Sequence, residues 1–195
     1  MDKKEISYEI IDYSSITNVK FYTSTDNGSY IPSHWHRAVE ILYMQEGELD
    51  VTVESSSFTI YPGDCILVNA NVIHSTKCVV PNKAIVLQIP LDFIEKYIPD
   101  VQQFMFIWDY QTKDPVKKTK LDMLKTTLEQ LQIIDDIRPD GFILRFNSLI
   151  FELLFQLYHN FSVKVFQSDL SRQKKDLAAP LFASHERLCI MNAIS

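Results

Sequence analysis

From about residue 5 to residue 90, short apolar runs alternate with turn signals, the pattern of many short strands. Leu49-Asp50-Val51-Thr52-Val53-Glu54 alternates with a period of two, so it puts one apolar and one polar face on a strand. Ser55-Ser56-Ser57 reads as a turn, and Phe58-Thr59-Ile60-Tyr61 as a strand that leads into a second turn at Pro62-Gly63-Asp64. Further runs at 65–68, 72–78 and 84–89 are joined by Asn69-Ala70-Asn71 and Pro81-Asn82-Lys83. Strands of this spacing predict a small antiparallel barrel or a double-sheet jelly roll.

After Pro90 the period changes to that of helices. Residues 91–98 read as a short helix. Asp114-Pro115 supplies an N-cap followed by proline at the first helical position, opening a helix to about Asp135 with Leu121, Leu124, Leu128 and Leu131 on one face. A second helix is expected from Pro139-Asp140 to about Asn160. Its stripe of Phe142, Phe146, Leu149, Leu153 and Leu157 is broadened by Ile143, Ile150, Leu154 and Tyr158, a width that predicts burial against the strands or a second subunit. The polar stretch 168–175 reads as a linker. A last helical pattern, from Ser184 through Leu188, Cys189, Ile190, Met191 and Ile194, stops at Ser195 without a cap, so the chain reads as a fragment. The expected division is therefore 1–90 for the strand-rich part with an N-terminal arm, 91–167 for the helices, and 168–195 for a linker and the start of a further unit.

Composition narrows the partners. The chain has 195 residues, 46% hydrophobic and 12% aromatic, enough for one sizeable core and too apolar for disorder. A net charge of −6, with no basic stretch, argues against nucleic-acid binding by this chain itself. No apolar run is long enough for a membrane span, and Met1-Asp2-Lys3-Lys4-Glu5 does not open a signal peptide. The cysteines Cys65, Cys78 and Cys189 form no disulfide framework and no metal-binding pair; Cys65 and Cys78 read as small buried hydrophobes. A cytoplasmic location is the expectation.

The candidate chemistry lies in the histidines. Three of the five in the chain fall within the strand-rich part: His34, His36 and His74. Side chains at i and i+2 of a strand share a face, so His34 and His36 are expected to point inward together, with Glu40 in the same parity if no bulge intervenes. His74 would complete the set from a later strand. Three imidazoles and a carboxylate suit Zn, Ni, Fe or Mn with coordination positions left open. Trp35 has the opposite parity and is expected to pack under the N-terminal segment. Gly47 and Gly63 read as turn residues needing positive φ. His159 and His185 read as surface residues, and Lys117-Lys118-Thr119-Lys120 as a solvated helix face.

At these residues the sequence resembles the cupin superfamily. Gly28, His34, His36, Glu40 and Gly47 match its first motif with the intervening lengths; Gly63 and His74 match part of the second, where Asn69 replaces proline, Asn71 glycine and Cys78 asparagine. The longer stretch 34–43, with Glu46-Gly47-Glu48-Leu49, Tyr61-Pro62-Gly63-Asp64 and Asn71-Val72-Ile73-His74, resembles the amino-terminal sensor domain of AraC-type transcription regulators. That resemblance implies a mainly β fold with α: a cupin-like antiparallel jelly-roll barrel followed by an α-helical dimerisation region. It further implies a linker and, outside this chain, helix-turn-helix units that bind DNA.

The resemblance implies a small-molecule effector, a sugar or related metabolite, bound near His34, His36, Glu40 and His74. Binding would order a flexible arm of residues 1 to about 27, in a homodimer joined through the helices. A divalent transition metal on the same four residues is the other use of the site, although metal is not the usual effector of such regulators. The rival of a different class is a metal-dependent cupin enzyme: a dioxygenase, isomerase or epimerase. A dimeric carbohydrate-binding module is a third. No nucleophile elbow, phosphate loop or useful carboxylate pair supports other chemistry.

Overall fold

Period-two alternation places Glu40, Leu42 and Met44 on one face of a strand and Val39, Ile41 and Tyr43 on the other, and the chain buries both faces. The computed structural model describes residues 6–165. In chain order its first strands are β1 (Ser7–Tyr8), β2 (Lys20–Asp26), β3 (Tyr30–Trp35), β4 (Ala38–Glu46) and β5 (Leu49–Val53). They are followed by β6 (Ser56–Ile60), β7 (Cys65–Val68), β8 (His74–Cys78) and β9 (Asn82–Pro90). They form two facing sheets, β1-β3-β8-β5-β6 and β2-β9-β4-β7, as a jelly roll requires. The sheets are not hydrogen-bonded into a closed barrel.

Leu42, Met44, Leu49, Val51, Ile60, Ile66 and Val86 fill the space between the sheets. On the other face of the second sheet, Val39, Ile41, Ile85, Leu87 and Ile89 meet the helices. Burial on both faces explains why 84–87 is a continuous apolar run with no alternation.

The helical half is α1 (Leu91–Ile94), α2 (Pro115–Ile137) and α3 (Phe142–Phe161). Asp114 caps α2 by accepting hydrogen bonds from the backbone N–H groups of Val116 (2.8 Å) and Lys117 (3.2 Å), which hold its carboxyl below the usual range. Leu121, Leu124, Leu128 and Leu131 of α2 pack with Phe146, Leu149, Leu153 and Leu157 of α3 and with the sheet in one core. A short antiparallel pair, β10 (Phe104–Phe106) with β11 (Ser162–Lys164), ties the end of α3 back to the chain. None of the described helices is long and apolar enough to cross a membrane.

Several expectations are corrected. Residues 20–26 are not a flexible arm: β2 pairs with β9 along its whole length, from Lys20↔Gln88 to Asp26↔Asn82. The 91–98 helix ends at Ile94. The turn before β6 is Glu54-Ser55, with Glu54 in the left-handed region (φ 54), so Ser56 and Ser57 already pair with Val53 and Thr52. The second long helix starts at Phe142, after Gly141. Tyr158, expected within its buried face, is exposed. The expected linker and further helix at 168–195, with His185 and Cys189, lie outside the described residues.

Gly47 and Gly63 both adopt positive φ, +73° and +93°, at turns. Around Gly63 the space is open, whereas a Cβ on Gly47 would stand 2.1 Å from the Pro81 carbonyl oxygen and 2.8 Å from Asn82 Cα. Gly63→Ala is therefore expected to cost about 1–2 kcal/mol, the left-handed penalty alone. Gly47→Ala adds an overpacking penalty of about 1–3 kcal/mol to that. Urea unfolding of the two variants checks the order; equal losses would show that the 81–82 loop moves aside freely.

Candidate metal centre

The site is built where the chain crosses from one sheet to the other. β3 delivers His34, then ends at Trp35; His36 stands at the corner; β4 enters the opposite sheet and carries Glu40. The i, i+2 argument on a single strand is thus corrected: the three residues converge because the chain turns a corner. Two directly opposed pairs face each other across the interior, His34↔His74 in one sheet and Glu40↔Gln88 in the other. Opposed residues share a face, so Gln88 is brought to the site by the strand that pairs with that of Glu40.

All four predicted residues come together, and all are buried. Each imidazole is held by its Nδ1 on a backbone carbonyl two residues away: His34 on Pro32 (2.9 Å), His36 on Ala38 (3.1 Å), His74 on Val72 (3.0 Å). A carbonyl oxygen only accepts, so each Nδ1 carries the proton and donates it, which turns Nε2 toward the interior. One ring nitrogen from each of the three histidines lies within 4.8 Å of the others. The Glu40 carboxylate adds Oε2 at 3.0 Å from His36 Nε2 and 3.8 Å from His74 Nε2. The same oxygen accepts a hydrogen bond from Gln88 Nε2 at 2.6 Å.

Burial works to raise the Glu40 carboxyl. The imidazoles of His36 and His74 and the amide of Gln88 overcome it and hold the group well below the usual carboxylate range. His74 Nε2 is buried with no hydrogen-bond partner. A buried ring nitrogen without a hydrogen-bond partner, beside two more imidazoles and a carboxylate, is the donor set that a transition-metal ion satisfies, so the residues fit such an ion. His34, His36, His74 and Glu40 would hold it, and Gln88 would orient the carboxylate from behind.

Two residues were missed by sequence reasoning. Gln88 carries a signal, as the one polar side chain within the apolar stretch 84–89. Glu9 carries none, being an isolated acid 25 positions before His34. It reaches the site because β1 pairs in parallel with β3, and its Oε2 lies 3.4 Å from His34 Nε2. Trp35 packs under the N-terminal segment, 4.6 Å from the ring of Tyr8. Cys65 and Cys78 are buried, and burial pushes the Cys65 thiol up to about 12.

The departures in the second motif have local explanations. Asn71 takes the left-handed region (φ 64), which asparagine tolerates where glycine would be at ease. Asn69 spends its amide on the backbone of Phe106, at 2.9 and 3.0 Å, and so ties the loop to β10.

Geometry and similarity agree here. Residues 21–90 match the Cupin domain. No curated protein is significantly similar to the chain. Among solved structures it is similar to a cupin superfamily protein from Desulfitobacterium hafniense, at 16% identity over 41% of this chain and 72% of that one, TM-score 0.37. It is similar to an RmlC-like cupin from Shewanella frigidimarina, at 25% identity over 38% and 68%, TM-score 0.36. A third is oxalate decarboxylase from Bacillus subtilis, described with Mn(II) centres, at 21% identity over 38% and 22%, TM-score 0.34.

The domain is expected to bind Co(II) or Zn(II) through the three histidines. Removing the carboxylate's support in Gln88→Leu should lower the affinity about 10–100-fold, and His74→Ala should lower it further. Competition with a chromogenic chelator measures both, and equal metal retention by wild type and His74→Ala would dismiss the site.

Proposed function

We propose that this chain is the ligand-sensing and dimerisation part of an AraC-like transcription regulator, working in the cytoplasm. A small metabolite binds between the sheets near His34, His36, Glu40 and His74, and DNA is bound through helix-turn-helix segments outside this chain. The observation that carries this reading is the apolar stripe on the solvent side of α3. Leu144, Phe151, Phe155 and Tyr158 recur at spacings of seven, four and three, on the face turned away from the core, and are 80%, 42%, 60% and 43% exposed. Such a stripe is the seam of a helix that packs on another helix. A second copy of the same helix, related by a two-fold axis, covers it with a like surface.

Two further features support the reading. The helices that carry the stripe share their core with the sheet that carries Glu40 and Gln88, so ligand site and seam are two faces of one layer. The N-terminal segment meets the site through Glu9 and His34. A ligand that contacts that segment differently in two arrangements shifts the population between them, which is what a regulator requires.

The metal-dependent enzyme is kept as a second reading because of the orphaned His74 Nε2 beside two other imidazoles. A metal there would supply a Lewis acid with open positions for a substrate. His34, His36, His74 and Glu40 would bind it, Gln88 would hold the carboxylate, and β1 would shield the site from water.

Light scattering on the purified chain separates the two readings. The sensor reading expects a dimer at micromolar concentration that Phe155→Glu converts to a monomer with unchanged far-ultraviolet circular dichroism. A wild-type monomer overturns it. A near-stoichiometric transition metal in the purified protein, lost in His36→Ala, favours the enzyme.

A further inference from the structure

Helices α2 and α3 enclose a cleft of about 370 Å³, lined by side chains of these two helices alone. Its floor holds a buried amide. Gln156 of α3 is 3% exposed and spends Nε2 on two acceptors, Thr127 Oγ1 of α2 at 3.1 Å and Glu152 Oε1 at 2.9 Å. A carboxylate oxygen only accepts, so Glu152 fixes which way the carboxamide points. Oε1 is left buried with no donor, the one such atom among the residues that line the cleft. A buried acceptor without a donor is costly between helices, where a leucine or methionine would fill the same space at no such cost.

Two opposite charges share the same wall. Glu152 and Arg145 are both exposed and both line the cleft, two turns apart on α3, which is about 10 Å along its axis. Glu152 meets Gln156, and Arg145 donates through Nη2 to Gln130 Oε1 of α2 at 2.9 Å. Among the described residues neither is ion-paired. Leu149 of α3 lies between them, and Met123 of α2 adds a second apolar side chain to the lining.

We propose that this cleft binds a small zwitterion, with an ammonium and a carboxylate at the two ends of a short aliphatic chain. The ammonium goes to the Glu152–Gln156 end and the carboxylate to Arg145. As the cleft stands, Oε1 is closed to solvent, and the way to it is through the hydrogen bond between Gln156 and Glu152. An ammonium brings three donors, enough to replace Nε2 on Glu152 and to serve Oε1 once the carboxamide turns. At the other end the guanidinium fork receives a carboxylate through paired N–H groups. A simple amine leaves Arg145 beside its apolar tail, and a simple acid meets no donor at Glu152, so the two-ended molecule alone matches both ends. This site is separate from the one between the sheets and does not rest on the sensing reading. Arg145, Glu152 and Gln156 each follow a residue of the apolar stripe, about 100° round the helix, so a molecule held there lies along the edge of the seam.

Titration of the full chain with ε-aminocaproate, and separately with hexylamine and caproate at constant pH and ionic strength, tests the proposal. The readout is the side-chain amide ¹⁵N–¹H signals of Gln156, assigned with Gln156→Met. ε-Aminocaproate should shift them saturably, and each one-ended analogue should need at least about ten-fold more, the loss of one charge-assisted contact. Arg145→Gln should make ε-aminocaproate no better a ligand than hexylamine, and Glu152→Gln no better than caproate. Both residues are exposed, so both variants are expected to keep the wild-type circular dichroism. The three ligands on wild type decide the matter even without the variants: no saturable shift, or equal binding of all three, overturns the proposal. Binding that survives both substitutions unchanged overturns it as well. A monomeric wild type, which sinks the regulator reading, leaves each of these outcomes as it stands.

Discussion

Three backbone carbonyls decide the chemistry of this molecule. Those of Pro32, Ala38 and Val72 each take the Nδ1 proton of a histidine two residues away, and the Nε2 atoms are left to face one another and Glu40. A free neutral imidazole exchanges between its two tautomers, but a carbonyl oxygen cannot donate, so the backbone puts a proton on Nδ1 before any ligand arrives. The remaining polar atoms then follow. Gln88 is required because a carboxylate buried among apolar strands needs a donor besides histidine, and its cross-strand position supplies one at 2.6 Å.

That arrangement also explains where the sheets touch. The triad draws on β3, the corner at His36, and β8, while the carboxylate and its amide come from β4 and β9. Hydrophobic packing alone, as between Leu42, Met44, Val51 and Ile60, is tolerant of small slips. Polar groups with one satisfactory geometry are not. The interior is thus apolar at one end, where it can adjust, and polar at the other, where it cannot.

Much of this was legible in the sequence. The strands between Leu49 and Ile89 announced themselves by alternation and by turns at Pro62-Gly63-Asp64 and Pro81-Asn82-Lys83, and Asp114-Pro115 marked the start of α2. The four polar residues of the site were named from spacing, yet the reason offered for it failed. A one-strand parity argument has no way to see the corner at His36, because a chain that crosses between sheets keeps its inward side through a change of direction. Glu9 and β2 were hidden for a different reason. A two-residue parallel strand leaves no periodic trace, and Lys20-Phe21-Tyr22-Thr23-Ser24 is too polar to read as an interior strand, although it pairs fully with β9.

Strand β4 borders both the polar site and the helical core. Along it Glu40 faces the triad while Val39 and Ile41 face the helices, and the neighbouring β9 repeats the pattern with Gln88 between Leu87 and Ile89. Both strands are buried on both sides, so neither can shift at the polar end without moving the apolar residues that support Leu124, Leu128 and Ile150. The carrier of the apolar stripe, α3, packs into that same layer. For a ligand to alter how two such helices meet, it must interact differently with two arrangements of the layer, and the single carboxylate of Glu40 is where such a difference is felt most sharply. In a low-dielectric site a change of partner at one charged oxygen outweighs many apolar contacts, so the two strands that hold Glu40 and Gln88 have reason to be buried along nearly their whole length.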